Sequence, residues 1–204
     1  MFMESEKKIS SEIDGKVVMV TGGTGSFGHQ IVDELRKLNP KQIIIFSRDE
    51  DKQYRMRLEY QSEKLKFVVG DVRDFDRVLE VTYGVDMIFH AAALKHVPYC
   101  EFHPYEAVKT NVIGAHNVKR AAILNNVPKL VAISTDKAVK PVNAMGMSKA
   151  LQEKILLAIR GQEPAKGFLW PFGGAQKIGS ILEESATGLV GRESGLEVSD
   201  LQFF

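Results

Sequence analysis

The sequence predicts an α/β fold with a doubly wound parallel sheet, on three observations. Short apolar runs alternate with helix-length amphipathic segments between residues 16 and 160. A glycine-rich turn joins the first apolar run to the first helical segment. Beyond residue 160 this alternation stops, and eight of the 17 glycines fall in the last 44 residues. We therefore expect a sheet domain followed by an atypical C-terminal tail.

Five short apolar runs are the predicted strands: 16–21, 42–46, 65–69, 85–93 and 130–134. They are continuous rather than alternating, as in parallel strands buried on both faces. The helical segments between and after them are 26–38, 49–60, 74–81, 105–126 and 143–160. Asp49 and Asp74 stand where an N-cap is needed, and Asn39-Pro40 ends the first helix. Each strand is thus followed by a helix, as a parallel sheet requires.

Charge and composition exclude several classes of partner. The chain has 27 basic and 26 acidic side chains, a formal net charge of +1, which gives no reason to expect nucleic acid or an anionic membrane as partner. Cys100 is the only cysteine, so we expect no internal disulfide, and no zinc-type cluster predicts a metal site. No run of 18 apolar residues exists and the N-terminus is polar, so we expect a cytoplasmic protein.

The composition divides the chain into three parts. Residues 1–13 are expected to be flexible, 14–160 to form the sheet domain, and 161–204 to form a glycine-rich tail without a substrate lobe. Residues 167–174 are apolar but unperiodic, so no further strand is expected there. The abrupt change suggests a truncated or frameshifted gene product, with a genuine alternative C-terminus as the other interpretation.

The glycine-rich turn, Thr21-Gly-Gly-Thr-Gly-Ser-Phe-Gly28, predicts a binding site for a dinucleotide. Glycine allows positive φ and close backbone approach to a pyrophosphate, and the following helix N-terminus attracts the anion. The alternative is a tight turn without a ligand. The residues expected to contact the cofactor here are Gly22, Thr24, Gly25, Ser26, Phe27 and Gly28.

The end of the second strand favours NADP over NAD. An acidic residue there would suit the ribose hydroxyls of NAD, whereas this strand ends at Ser47-Arg48. Arg48 can form charge-assisted bonds with a 2′-phosphate, and Ser47 adds a donor. Asp49, next in line, complicates this interpretation, and the alternative is that Arg48 is merely solvated.

Two later strand ends support a cofactor without requiring one. Asp71 and Val72 follow the third strand, where a carboxylate can meet the adenine amine. Ala91 and Ala92 close the fourth strand and are small enough for a cofactor to pass over them. Alanine runs are also ordinary packing.

Five motifs, in order, resemble the extended short-chain dehydrogenase/reductases, whose domain is the NAD(P)-binding Rossmann fold. More narrowly, they resemble the bacterial polysaccharide-biosynthesis group of UDP-N-acetylglucosamine 4,6-dehydratases. The resemblance covers about residues 14–154, ceases near residue 158, and rests on these segments: 21–28, Gly70-Asp-Val-Arg-Asp74, Ala91-Ala-Ala-Leu-Lys-His96, Asn111-Val-Ile-Gly114 and Ser134-Thr-Asp-Lys-Ala138.

The resemblance implies a redox-neutral elimination on a UDP-sugar. NADP takes hydride from C4, water leaves from C6 after loss of the C5 proton, and the hydride returns to C6. The resemblance makes Asp136 the acid and Lys137 the base, and Thr135 or Ser134 the partner of the sugar O4. A lysine base must be neutral, which requires burial or a nearby cation. The alternative is an exposed Asp-Lys pair without a catalytic role.

The helix after this segment departs from the usual pattern. Most short-chain dehydrogenases carry Tyr-x-x-x-Lys, but here Met145, which cannot transfer a proton, precedes Lys149. This resembles a methionine-bearing branch of the dehydratases, in which Lys149 would hold the nicotinamide ribose. The acceptor of the O4 proton stays open among Asp136, Lys149 and a water. Asn111, within a predicted helix, is expected to hold an active-site water or backbone.

Two other functions remain open from the sequence. One is a nucleotide-sugar epimerase or reductase, against which Met145 argues, and the other is a catalytically incomplete NADP-binding fragment. A homo-oligomer is possible through the helices at 105–126 and 49–60, since related enzymes often associate through such helices.

Overall fold

The computed structural model describes residues 10–158 and the strand at 166–170. In this part of the chain a single six-stranded sheet has the order β3-β2-β1-β4-β5-β6, and every pairing is parallel. The chain starts in the middle of the sheet and winds outward in both directions, which confirms the predicted doubly wound fold. The strands are β1 Val17–Thr21, β2 Gln42–Ser47, β3 Leu65–Val69, β4 Met87–His90, β5 Lys129–Ile133 and β6 Lys166–Trp170.

The α-helices connect successive strands. Asp49 accepts a hydrogen bond from the Lys52 amide (2.9 Å) and Asp74 accepts one from the Arg77 amide (3.1 Å). Both predicted N-caps are therefore confirmed. The helices are α1 Ser26–Lys37, α2 Glu50–Tyr60, α3 Phe75–Val81, α4 Val97–Phe102, α5 Pro104–Ala107, α6 Gly114–Leu124 and α7 Ala144–Leu157.

The helix predicted over 105–126 is not regular. A π-helical turn, Val108–Ile113, lies between α5 and α6, with the buried Asn111 inside it. Such turns accommodate an extra residue and are frequent at functional sites. The periodicity of the apolar residues predicted the helix but not this widened turn.

The expectation that no strand follows the last helix is wrong for residues 166–170. β6 pairs with β5 from Lys129↔Lys166 to Ile133↔Trp170. A strand of a parallel sheet covered on both faces shows no alternation, so an unperiodic apolar run is compatible with it. The rest of the predicted tail, 161–165 and 171–204, lies outside the described residues.

The N-terminal boundary also differs from the prediction. Residues 10–13 are helical, and Ile13 is buried against the core, so ordered structure begins before residue 14. Residues 1–9 of the segment predicted to be flexible lie outside the described part.

The sheet is covered on both faces by apolar side chains. Val18 and Val20 of β1 face α1, and Met19 faces the opposite layer, which includes residues of α6. This alternation places both layers around β1, the centre of the sheet. Among the described helices, none is both long and apolar enough to cross a membrane.

Candidate functional site

The glycine turn after β1 is held tightly against two neighbouring strands. The Gly22 amide donates to the Phe46 carbonyl at 2.8 Å, and Gly22 has φ +66°. A Cβ at Gly22 would lie 2.8 Å from the Cα of Ala92. Glycine is therefore required by both the backbone conformation and the approach of the segment following β4.

Gly28 lets α1 start directly on this turn. A Cβ on Gly28 would lie 2.3 Å from the Gly22 carbonyl oxygen and 2.6 Å from the Gly23 Cα. Gly25 precedes the helix, and no described side chain caps its first amides. The start of α1 thus presents uncapped N–H groups and the positive end of a helix dipole, a favourable environment for an anion.

One cavity of about 290 Å³ opens at the carboxyl ends of the strands. It extends from the glycine turn to the ends of β2, β3 and β4. Lys149 is the one residue predicted to bind the cofactor that does not line it. The predicted residues that do line it are Gly22, Thr24, Gly25, Ser26, Phe27, Gly28, Ser47, Arg48, Asp71, Val72, Ala91 and Ala92.

Residues outside the predicted cofactor set also line this cavity. Lys95 lines it, as does Thr110, whose buried hydroxyl has no hydrogen-bond partner among the described residues. Thr110 precedes Asn111 in the π-helical turn, which brings it to the cavity. Nothing in the sequence indicates that a threonine inside a predicted helix would line the cavity.

Polar side chains at the end of β2 form the rim of the cavity. The Thr24 and Ser47 hydroxyls are 2.7 Å apart, and Arg48 is half-exposed with its Nη1 3.5 Å from Asp71 Oδ2. Asp49 caps α2 and pairs with Lys52 (2.9 Å), and the hydrogen bond from the Lys52 amide is the main cause that lowers the pKa of Asp49. The Asp49 carboxylate is therefore bound by the amide and the ammonium group of Lys52. Its negative charge consequently opposes a contact between Arg48 and a phosphate less than the sequence alone suggested.

Asp71 is held as an anion at the end of β3. Burial acts to raise its pKa, but hydrogen bonds from Arg73 and the charges of Arg48 and Arg73 outweigh that effect and lower it. The Arg73 Nε donates to Asp71 at 2.8 Å, and its Nη1 donates to Glu106 at 3.0 Å. The Arg73 guanidinium thus joins the Asp71 carboxylate at the β3 end to Glu106 of α5, beside the cavity.

Asn111 is completely buried and connects three elements. Its side-chain oxygen accepts from the Leu94 amide (2.8 Å), and its nitrogen donates to the Leu94 carbonyl (3.0 Å) and to Ser148 Oγ (2.9 Å). Ser148 in turn donates to the Met145 carbonyl at 2.7 Å. Of the two roles expected for Asn111, the structure shows the backbone one: it fixes the loop after β4 to α7.

Met145 and Lys149 both lie on the buried side of α7. Met145 packs against Cys100 and Ala107. Lys149 is 6% exposed, and its Nζ donates to the Ile133 carbonyl and to Gln152 Oε1. Burial lowers its pKa to about 8, with the charge of Glu153 opposing. The ammonium therefore lies at the carboxyl end of β5 rather than on the cavity wall.

Asp136 and Lys137 form an exposed pair on the 3₁₀ turn Asp136–Ala138 that follows β5. The Thr135 hydroxyl donates to Asp136 at 2.9 Å, which is the main cause that lowers the pKa of Asp136. Lys137 Nζ lies 3.5 Å from the same carboxylate and is half-exposed. The burial that a lysine base needs is not supplied by the described residues.

His90 is a buried residue that the sequence reasoning missed. It ends β4, is 1% exposed, and its Nδ1 is 2.7 Å from Thr21 Oγ1, while Nε2 has no partner among the described residues. Burial, aided by the charge of Lys149, lowers its pKa to about 3. The sequence feature that could have drawn attention to His90 is its position inside the continuous apolar run 85–93.

Protonation of His90 is expected to make stability depend on pH. The folded pKa is about 3 against an ordinary 6.5, so the unfolded chain binds more protons between these values and stability falls as the pH drops from about 6.5. We expect the wild type to lose about 2 kcal/mol more than His90→Gln between pH 7 and pH 5. Urea unfolding of both proteins at each pH measures this, and parallel losses would contradict it.

The sheet order, the glycine turn and the cavity at the carboxyl ends of the strands together define a Rossmann domain of the NAD-binding type. A sequence profile of the family described as "Polysaccharide biosynthesis protein" matches residues 18–171. The chain belongs to that family. The match continues past the last recognised motif and includes β6, so the expectation that similarity ceases near residue 158 is wrong.

Two proteins with similar sequences carry the same name. A protein named UDP-glucose 4-epimerase from Rickettsia prowazekii is 55% identical over 147 residues, which are 70% of this chain and 43% of that protein. The chain spans less than half the length of the curated relatives it matches. A similarly named protein from Rickettsia bellii is 52% identical over the same length.

Solved structures show the same fold. Pen from Bacillus thuringiensis superposes with a TM-score of 0.75 at 34% identity, covering 77% of this chain and 49% of Pen. DesIV, a dTDP-glucose 4,6-dehydratase from Streptomyces venezuelae with NAD and TYD bound, gives a TM-score of 0.68 at 22% identity, covering 75% and 54%. At that identity the second likeness shows the fold alone.

Proposed function

We propose that the chain binds a nicotinamide dinucleotide in the cavity beside the glycine turn, as the cofactor domain of a nucleotide-sugar-modifying enzyme. The observation that carries this proposal is the glycine turn, where Cβ atoms at Gly22 and Gly28 would collide with backbone atoms. Close backbone approach and an uncapped helix N-terminus suit a pyrophosphate. The nicotinamide, when bound, supplies a reversible hydride acceptor.

We further propose that the dinucleotide is NADP. Ser47 and Arg48 line the cavity at the end of β2 and could bind a ribose 2′-phosphate, and Asp49 beside them is engaged by Lys52. Arg48 keeps half of its side chain exposed, so its guanidinium can turn from Asp71 to a phosphate. NAD is bound in a solved structure with the same fold, DesIV, so this preference is the part that requires measurement.

Arg48→Gln is expected to weaken NADPH binding about 10–100-fold, because a charge-assisted hydrogen bond contributes about 1.5–3 kcal/mol. NADH binding should change less than about 2-fold, since NADH lacks the 2′-phosphate. Fluorescence titration with both cofactors measures this. Arg55→Gln removes the same charge from an exposed position on α2 and is the control. An equal loss for NADPH and NADH would contradict the assignment.

We propose a 4,6-dehydratase acting on UDP-N-acetylglucosamine in polysaccharide biosynthesis as the reaction. Asp136 would protonate the departing C6 hydroxyl, Lys137 would take the C5 proton, and Thr135 would orient the sugar O4. Thr135, Asp136 and Lys137 follow β5 directly, at the same edge of the sheet as the cavity. A bound sugar would have to bury both side chains, because Lys137 is half-exposed here and must be neutral to act as a base. The pKa of Asp136 is lowered by the Thr135 hydrogen bond, so substrate binding would also have to raise it before Asp136 could act as an acid.

A 4-epimerase is the second candidate, favoured by the name of the Rickettsia relatives at 55% identity. Met145 supports the dehydratase, because it puts a thioether where the usual tyrosine would exchange the O4 proton.

Incubation with NADP or NAD and either UDP-N-acetylglucosamine or UDP-glucose separates the two candidates. A 4-keto product one water lighter supports the dehydratase, whereas a product of unchanged mass with inverted C4 supports the epimerase. Cofactor binding without either product supports the alternative that this chain only binds the dinucleotide. Failure to bind either cofactor would refute the proposal.

A further inference from the structure

The Lys149 ammonium is buried with two neutral partners. Its Nζ donates to the Ile133 carbonyl and, at 2.9 Å, to Gln152 Oε1. Buried lysines are usually paired with a carboxylate, because an uncompensated charge is costly in a medium of low polarity. The nearby carboxylate, Glu153, accepts a hydrogen bond from Ser134. Lys149 is therefore held by dipoles rather than by an ion pair.

The buried position of the Gln152 amide is explained by its hydrogen bond with Lys149. It is 1% exposed, Oε1 accepts from Lys149, and Nε2 has no partner among the described residues. A buried amide is costly unless it is hydrogen-bonded. Turning the amide over would place its NH₂ group against the ammonium. The orientation of Gln152 is thus fixed by Lys149, three residues earlier on the same face of α7.

We propose that Gln152 is a positioning residue, whose neutral amide oxygen holds the Lys149 ammonium at the carboxyl end of β5 and leaves it free to lose and regain a proton. This inference rests on the proposed function through the roles that the family resemblance implies for Lys149, contact with the nicotinamide ribose or acceptance of the sugar O4 proton. A glutamate at the same position would hold Lys149 in its charged form, whereas an apolar residue would leave the ammonium without its second acceptor.

The charges around Lys149 are consistent with this role. Burial lowers its pKa to about 8, and Glu153 is the opposing charge. His90 on β4 also interacts with it and is kept neutral by burial. Charged side chains on the other elements packed against α7 contact other groups: Asp136 with Lys137, Glu106 with Lys109, Glu101 with the Ala144 amide, and Lys119 with the Ile155 carbonyl.

The test is a pH titration of Lys149 by NMR of protein labelled at lysine Cε, with Lys149→Arg used to assign the signal. We expect a wild-type midpoint near pH 8, a midpoint at least about one unit higher in Gln152→Glu, and a lower one in Gln152→Met. Leu151→Glu is the control, since it adds the same charge at a half-exposed position on α7, and its midpoint should stay within about 0.3 units.

Unchanged midpoints in both Gln152 variants, or an equal shift in Leu151→Glu, would overturn the role of Gln152. Circular dichroism checks folding, and the nearly isosteric Gln152→Met keeps the test decisive if a buried glutamate prevents folding. The titration needs no cofactor, so it stays separate from the proposed function. A chain that binds neither NADPH nor NADH refutes that function whatever the midpoints are.

Discussion

Gly28→Ala is expected to weaken dinucleotide binding about 100-fold or more. The added methyl group would lie 2.3 Å from the Gly22 carbonyl oxygen and 2.6 Å from the Gly23 Cα, both backbone atoms. Neither can rotate away, so α1 must shift from the turn and carry its N-terminal amides with it. A loss of about 3 kcal/mol in binding free energy corresponds to this factor. NADPH titration by fluorescence measures it.

Crowding at Gly28 should also reduce stability, by about 1–3 kcal/mol. Gly84→Ala is the matched control, because Gly84 has φ +72° and an added Cβ would meet nothing within 4 Å. Gly84→Ala strains the backbone, but its added methyl group contacts no other atom among the described residues. Its cofactor affinity should therefore equal that of the wild type. Wild-type affinity in a folded Gly28→Ala protein would show that the turn does not position the pyrophosphate.

Asn111→Ala is expected to lower the free energy of unfolding by about 3 kcal/mol. The substitution deletes three hydrogen bonds, leaves the Leu94 amide without its side-chain partner, and leaves the Leu94 carbonyl with only the weak Cys100 thiol donor. Unpaired buried polar groups cost about 1–3 kcal/mol each, partly relieved by water or relaxation. Urea unfolding followed by circular dichroism gives the value.

Ser148→Ala supplies the graded comparison, because it removes one of the three Asn111 contacts. Its cost should be near 1 kcal/mol, and the double variant should cost less than the sum of the two, since the side chains share a hydrogen bond. If Asn111→Ala came within about 0.5 kcal/mol of the wild type, the connecting role of Asn111 would be wrong.

The framework of the fold could be predicted because its signals are local. Continuous apolar runs fixed the first five strands, and the carboxylates of Asp49 and Asp74 marked two helix starts through contacts only three residues long. β6 was missed because its sequence does not alternate between apolar and polar residues. Without a helical pattern after it, such a segment cannot be told from an apolar loop. The π-helical turn was missed because it depends on contacts of Asn111 with distant residues.

The residues that line the cavity were largely predictable from the sequence, and the surroundings of Lys149 were not. Glycines at a strand–helix junction require one backbone arrangement, so residues beside them could be assigned from the motif. The orientation of Lys149 depends instead on the partners that α7 finds at β5, Ile133 and Gln152. Thr110 stands out only through its buried hydroxyl without a partner among the described residues, which no pattern of residue types encodes, whereas His90 could have been noticed as a histidine inside an apolar run.

The strand order has a consequence for folding during synthesis. β1 pairs with β2 and with β4, and Val18 opposes both Ile43 and Met87. A ribosome that has released the chain through β2 but not yet β4 has therefore supplied one neighbour of β1 but not the other. Until β4 emerges, one edge of the future central strand offers unpaired amides and carbonyls to any passing chain. Nascent-chain arrest before and after β4 should show protease resistance appearing only in the longer chain.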